Sequence, residues 1–267
     1  MFKLKNFLGN DDVRVVEKLG AFTAYEYIRD LSVSPSNAIV AYYCNEMNLR
    51  KRQVLCELGK TSGVTVQAGA MQWSVGDVNA TTGIKGVKDF FGKVVKSSVS
   101  NESIVKPEYV GSGILVLEPT YKHIVLLDVS KWGSKIVLDD GLFLASEATL
   151  KHTIVARNSI SSAVAGGEGL FNLSLQGSGV VCLESPVPRE ELIEVYLDND
   201  VLKVDGNMAI AWSASLDFTA ERSGRSLIGS AASGEGLVNT YRGTGRVLLA
   251  PVDNPNYVPV RTVGSVQ

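Results

Sequence analysis

Histidine is almost missing from this chain: His123 and His152 are the only two in 267 residues. Each stands in a strand-like apolar run, YKHIVLL and LKHTIVA, without an HxH or HExxH spacing. That argues against a histidine-built metal centre of the cupin kind. Cysteine is scarce and odd in number, with Cys44, Cys56 and Cys182 forming no CxxC pair. A chain of this length needs no disulfide staples, so a reducing compartment is expected. No GxSxG element or other signature appoints a nucleophile. Charge of one sign is not in excess: the formal net charge is -2 and the pI near 5.8, which argues against general nucleic-acid binding. No apolar run approaches the roughly 18 to 20 residues of a membrane-spanning helix. The opening MFKLKNFLGNDDVRVVEKLG has no signal-peptide core either. Together these absences predict a cytoplasmic protein with no catalytic residues, no cofactor and no metal.

What the chain does contain is repetition. With 45% hydrophobic and 20% charged residues it reads as globular. The phrases 109-YVGSGILVLE-118, 175-LQGSGVVCLE-184 and 241-YRGTGRVLLA-250 align without a gap, so that Gly111, Gly177 and Gly243 lie 66 residues apart, as do Gly113, Gly179 and Gly245. A second phrase, 138-LDDGLFLASEATL-150, returns as 204-VDGNMAIAWSASL-216 and more loosely as 66-VQAGAMQWSVGDV-78. An internal threefold repeat is the simplest account. Short runs of Val, Ile, Leu and aromatics alternate with Gly, Asp and Asn turns, the pattern of a sandwich or barrel. The fold class expected is all-β with minor α: three tandem jelly-roll-like or double-stranded β-helix units. The six glycines are expected to form tight hairpin turns, because they stand between two strand-like runs. They fail as a phosphate loop, since no Lys-Ser or Lys-Thr follows and a strand comes next. After them, both strand faces are largely apolar, as with Leu115 and Leu117 against Ile114 and Val116. Strands of that kind are buried on both sides, between copies or against another subunit.

Two segments break the β pattern. Over 35-47, Ser34 suits an N-cap and Pro35 the first helical position, with Ile39, Tyr42, Tyr43 and Met47 on one stripe. Over 86-97, Val87, Phe90, Phe91, Val94 and Val95 form an apolar face, and Lys85, Lys88, Lys93 and Lys96 lie mostly elsewhere. This short basic helix covers the protein's own β-layer, docks a partner or touches an anionic membrane; Lys88, Phe90, Phe91, Lys93 and Val94 are the candidate contacts. The run 49-LRKRQ-53 alternates like a strand and is expected to be a solvated edge. The resulting division is an N-terminal extension 1-49, repeats over 50-135 (with the insertion 83-100), 136-200 and 201-252, and an extended, proline-bearing arm 253-267.

A glutamate precedes each glycine phrase, at Glu102, Glu168 and Glu235. Three carboxylates at a shared axis could bind a cation. Alternatively, each accepts hydrogen bonds from the backbone of its own turn. Cys182 occupies the place of Val116 and Leu248 in the other copies, which packing explains.

The phrases AGAM at 68-71, GGEGLFN at 166-172, SGEGLVN at 233-239 and the GSG or GTG turns resemble those of the altered-inheritance-of-mitochondria family of the twenty-fourth type, from about residue 50 to 252. The resemblance implies a fold similar to the ring-forming tryptophan RNA-binding attenuation protein, with three units per chain and assembly into a trimer or ring. It implies no enzymatic activity and has no catalytic residues to transfer. The expectation is a non-enzymatic, homo-oligomeric interaction platform, with a protein partner or an anionic membrane surface. The alternative is a small-ligand or cation-binding module at the repeat junctions.

Overall fold

The computed structural model describes residues 2-30, 32-81, 106-156, 171-206, 208-222 and 237-252. Its strands, in chain order, are β1 (Val13–Leu19), β2 (Phe22–Tyr27), β3 (Arg52–Glu57), β4 (Val64–Val66), β5 (Met71–Thr81), β6 (Glu108–Leu117), β7 (His123–Asp128), β8 (Lys135–Leu138), β9 (Phe143–Glu147), β10 (Lys151–Ala156), β11 (Phe171–Gln176), β12 (Val180–Ser185), β13 (Ile193–Asp205), β14 (Ala209–Ser213), β15 (Asp217–Arg222) and β16 (Leu237–Leu249). One α-helix, α1 (Ala38–Glu46), lies between β2 and β3. The fold is thus mostly β, as the alternating apolar pattern predicts.

The strands form two sheets. One runs β1-β2-β3-β6-β4-β9-β12-β7, with β5 also paired to β6; the other runs β10-β11-β8-β14-β16-β13, with β15 paired to β16. The first nearly closes on itself. Where β1 meets β7, side chains replace the ladder: Leu126 N–H donates to Glu17 Oε2 at 3.1 Å, while Arg189 donates to the Leu126 carbonyl and to Glu17 Oε1. Both backbone groups of Leu126 are thereby satisfied without a neighbouring strand.

The strand pairings recur with the sequence phrase. β6 is flanked along one edge by β3 and β4 and along the other by β5. β12 and β11 are flanked by β7 and β8 and by β9 and β10. β16 is flanked by β13 and by β14 and β15. Residues opposed in one unit are opposed in the next: Leu55 faces Val116, Leu126 faces Cys182, and Glu194 faces Leu248. Even a bulge is shared, since Gln72, Leu144 and Ile210 are each skipped in their ladders. The units are not three separate sandwiches, however. The first lies wholly in one sheet, the third in the other, and the middle one straddles both. The boundary drawn at 135/136 therefore falls inside β8, parting it from β7 although both flank the same glycine phrase, and that at 200/201 falls inside β13.

The glycines are not hairpin turns. Gly111 and Gly113 lie within β6, Gly243 and Gly245 within β16, and Gly177 and Gly179 in the short link where the chain passes from β11 in one sheet to β12 in the other. The first of each pair has φ of +118°, +134° or +116°, a conformation L side chains rarely adopt. A neighbouring strand also crosses close by: a Cβ on Gly111 would sit 2.1 Å from the Asp77 carbonyl oxygen, and one on Gly113 2.2 Å from that of Val75. The chain bends here against a strand that leaves no room for a side chain. The next amide is held in two units by an equivalent side chain: Val180 N–H donates to Glu147 Oε2 at 3.0 Å, and Arg246 N–H to Ser213 Oγ at 3.1 Å.

Strands after the glycines are buried on both faces, as their double apolar pattern predicts. In β12, Val181 and Leu183 join one core with Val125, Leu127, Leu138 and Leu175; Val180 and Cys182 join a second with Phe22, Val54, Leu115 and Ile124. A third core gathers on Trp212, Tyr241 and Val247, with Phe218 against it. His152 belongs to the packing too, its ring edge-on to Phe143 at 5.3 Å and its Nε2 2.8 Å from Ser146 Oγ.

Two outcomes follow. Replacing Gly111 with Ala forces both a disfavoured φ and a carbonyl clash and should cost about 3 kcal/mol or more, read as a lowered urea midpoint. Gly133→Ala, at φ +71° with open space around it, should cost only about 1 kcal/mol. The second concerns pH. Burial, with the Lys106 charge beside it, lowers the His152 pKa to about 4. The unfolded ring takes up its proton near 6.5, so stability contributed by this neutral ring is complete above that pH and lost as pH falls toward 4. The slope should be up to about 1.4 kcal/mol per pH unit, and His152→Gln should remove it from thermal midpoints measured over that range.

Candidate functional site

Glu102, Glu168 and Glu235 lie outside the described residues, as do Lys88, Phe90, Phe91, Lys93, Val94 and the whole 86-97 segment. The six glycines serve the backbone and present no side chain to a ligand. The feature that stands out instead is α1, and it stands the wrong way round for an ordinary surface helix.

The helix starts at Ala38 with Asn37 as N-cap, not at Pro35, because Ser34 closes a turn through its carbonyl, which accepts from Asn37 N–H at 3.0 Å. Its inward side is Ala41, Cys44 and Asn45, the half-buried residues. The stripe of Ile39, Tyr42, Tyr43 and Met47 points out, at 72%, 61%, 64% and 78% exposure, with Val40 beside it at 61%. Tyr42 and Tyr43 meet edge to face, with ring centroids 5.5 Å apart. Among the described residues the apolar side thus buries nothing.

Polar anchors hold the helix in this attitude. Asn45 Nδ2 donates to the Ile28 carbonyl, and Arg50 Nε donates to Asn45 Oδ1 at 2.7 Å. Arg52 Nη2 donates to Asn48 Oδ1 at 2.9 Å and to its carbonyl at 2.8 Å; Asn48 has φ +61°, a conformation asparagine tolerates. Both arginines converge on the buried Glu26: Arg50 at 2.9 Å, Arg52 at 3.4 Å, and Arg14 from the rim. Burial pushes the Glu26 carboxyl up, but hydrogen bonds from Arg14 and Arg50 and the charges of Arg14 and Arg52 outweigh it and leave the pKa lowered. The run 49-LRKRQ-53 is consequently no solvated edge. Arg52 and Gln53 are 2% and 4% exposed, since β3 lies between β2 and β6 and Glu26 supplies the countercharge. Gln53 in turn accepts from Tyr25 and Tyr27 and donates to Gln72 and the Leu117 carbonyl.

A second concave feature lies between the first two units. A groove of about 350 Å³ is lined by the loop Gln67–Ala70 and by Glu118, Gly141, Phe143 and Glu184. Gln67 Oε1 accepts from Lys106, and Glu184 pairs with Lys122 at 2.8 Å. Elsewhere, burial pushes the Cys56 and Cys182 thiols up, out of the range where a thiolate attacks. His123 and His152 sit on different strands, and no three His, Cys, Asp or Glu side chains come together to hold a metal among the described residues.

The anchor was hidden in the sequence. Glu26 reads as one charge in the alternating run FTAYEY, and its partners lie 12, 24 and 26 residues away. Asn45 and Asn48 offered only weak signals of a helix end.

Known proteins agree with this architecture. An uncharacterized protein of Streptococcus pyogenes serotype M6 is 29% identical over 201 residues, 72% of this chain and 78% of that one. The crystal structure of a Streptococcus pyogenes protein superposes with a TM-score of 0.56 at 27% identity, over 78% of this chain and 90% of the other. Residues 46–252 match the family model described as mitochondrial biogenesis AIM24. That match takes in β3 to β16 and all three glycine phrases, and the chain belongs to this family.

Proposed function

We propose that the protein is a non-enzymatic interaction platform, homo-oligomeric and cytoplasmic, that docks a protein partner on the outward face of α1. The observation that carries this reading is the inverted helix: five large apolar or tyrosine side chains in nine positions of solvent-facing surface, held by buried ionic anchors. Isolated exposed apolar residues need no explanation, but a contiguous set does. Tyrosine and methionine are enriched in protein interfaces, where they supply contact area at low entropic cost. α1 carries no basic residue in its last turn, and the neighbouring Arg50 and Lys51 are engaged with Glu26 and Asp30. A helix binding anionic lipid would present a cationic rim. No helix among the described residues is long and apolar enough to cross a membrane. The groove at the first unit junction supports a second reading, a small-ligand module, for which calorimetry with amino acids and divalent cations is the check.

The platform reading is tested by a photo-reactive residue at position 43, introduced in the protein's own cells. A discrete protein adduct, absent when the probe sits at Lys151 on the other sheet, supports it. Lipid adducts would transfer the face to a membrane surface, and no adduct at either position would remove the proposal. Because the face buries nothing among the described residues, changing Tyr42, Tyr43 and Met47 to Ser should leave stability within about 0.5 kcal/mol per site while abolishing the adduct.

A further inference from the structure

Two seams join the units within the chain. At the first, β4 runs antiparallel to β9, with Val64, Thr65 and Val66 opposite Glu147, Ser146 and Ala145. It is bracketed by Gln67 N–H to the Leu144 carbonyl at 2.8 Å and Ala148 N–H to the Gly63 carbonyl at 2.9 Å. At the second, β8 runs antiparallel to β14, with Ile136, Val137 and Leu138 opposite Ser213, Trp212 and Ala211. The same brackets return, Asp139 N–H to the Ile210 carbonyl at 3.1 Å and Ala214 N–H to the Lys135 carbonyl at 3.2 Å. In both seams the bulged residue, Leu144 or Ile210, supplies the accepting carbonyl.

Each half of a third seam is present, and the two halves do not meet. In β13, Leu202 faces Tyr241 and Val204 faces Asn239, as Ile136 faces Leu175 and Leu138 faces Leu173, so Leu202–Val204 occupy the place of Ile136–Leu138. In β5, the bulge at Gln72 puts Trp73–Val75 in the place of Ala145–Glu147 and Ala211–Ser213. Neither outer edge is paired with another strand among the described residues. Burial agrees: Ser146 and Trp212 are buried in their seams whereas their counterpart Ser74 is exposed, and Lys203 is exposed where its counterparts Val137 and Thr65 are buried and half-buried.

We propose that the third seam forms between two copies of this chain, the outer edge of β13 in one copy pairing antiparallel with the outer edge of β5 in the next. The internal seams set its register: Leu202 opposite Val75, Lys203 opposite Ser74 and Val204 opposite Trp73. Asp205 N–H donates to the Gln72 carbonyl, and Gly76 N–H to the Val201 carbonyl. The two edges differ, so the contact is head-to-tail, and copies add in one direction into a ring or a filament. Strand addition at an open edge is an established mode of association, its specificity set by the side chains along the edge. An edge lysine such as Lys203 commonly guards a strand against pairing, and a monomer is the outcome that role would give. This inference gives the oligomeric part of the platform reading its interface, and is independent of what α1 binds.

The test uses the full chain with Cys44→Ser, carrying either Ser74→Cys or Lys203→Cys and two different tags. On mixing and mild oxidation, a disulfide between the two variants should exceed either symmetric product at least tenfold, since the register places these residues opposite one another. Native mass spectrometry of the unaltered chain should give multiples of 28.6 kDa. A monomer at every concentration, or symmetric disulfides in equal yield, overturns the proposal. Both cysteines replace exposed side chains, so a folding failure is not expected, and circular dichroism of each variant checks it. Loss of the position-43 adduct with the disulfide retained would sink only the partner reading; the converse would sink only this one.

Discussion

The constraint on which the rest of the molecule depends is steric. In the first two units a strand must bend beside a neighbouring carbonyl that leaves no room for a Cβ, that of Asp77 at Gly111 and that of Thr149 at Gly177; in the third, Gly243 makes only ordinary contacts and Gly245 is the crowded one, against Ser213 and Leu216. The positive φ of Gly111, Gly177 and Gly243 is the backbone's answer. In the middle unit the bend becomes a passage, and the chain leaves one sheet as β11 and enters the other as β12. That passage allows two sheets to share one protein and places β12 between two cores. Along β12 the ordinary alternation of side chains then sends Val181 and Leu183 to one core and Val180 and Cys182 to the other.

Much of this was legible in the sequence because periodicity and repetition are local. The 66-residue spacing of the glycine phrases is the spacing of the strand pairings, and the double apolar pattern is the double burial. The looser phrase at 66-78 is matched by the shared bulge at Gln72. Other features were not legible, for physical reasons. Glycines between apolar runs suit a hairpin as well as a bend, and the choice rests on Asp77 and Val75, more than 30 residues away. The orientation of α1 is illegible for a related reason. An apolar stripe is normally the buried one, but Glu26, Arg50 and Arg52 hold the opposite side down, and ion pairs between distant residues leave no periodic trace.

In the proposed platform the working surfaces lie at the margins. Buried ionic groups are weak sources of net stability, but they specify orientation, and the Glu26 cluster fixes how an exposed apolar face is presented. The seams have a similar logic. A chain that joins its units twice by one register, and leaves that register open at both ends, carries the means of extending itself.

The account's central claim, that three equivalent units expose an unfilled third seam, is tested most directly at one backbone amide. Hydrogen exchange at Asp205 should be compared with that at Gln67 and Asp139, its counterparts in the internal seams, at high and at low protein concentration. The account predicts that Asp205 is protected like the other two in concentrated solution and loses that protection on dilution, while theirs persists. Fast exchange at Asp205 at every concentration, with Gln67 and Asp139 protected throughout, would contradict it.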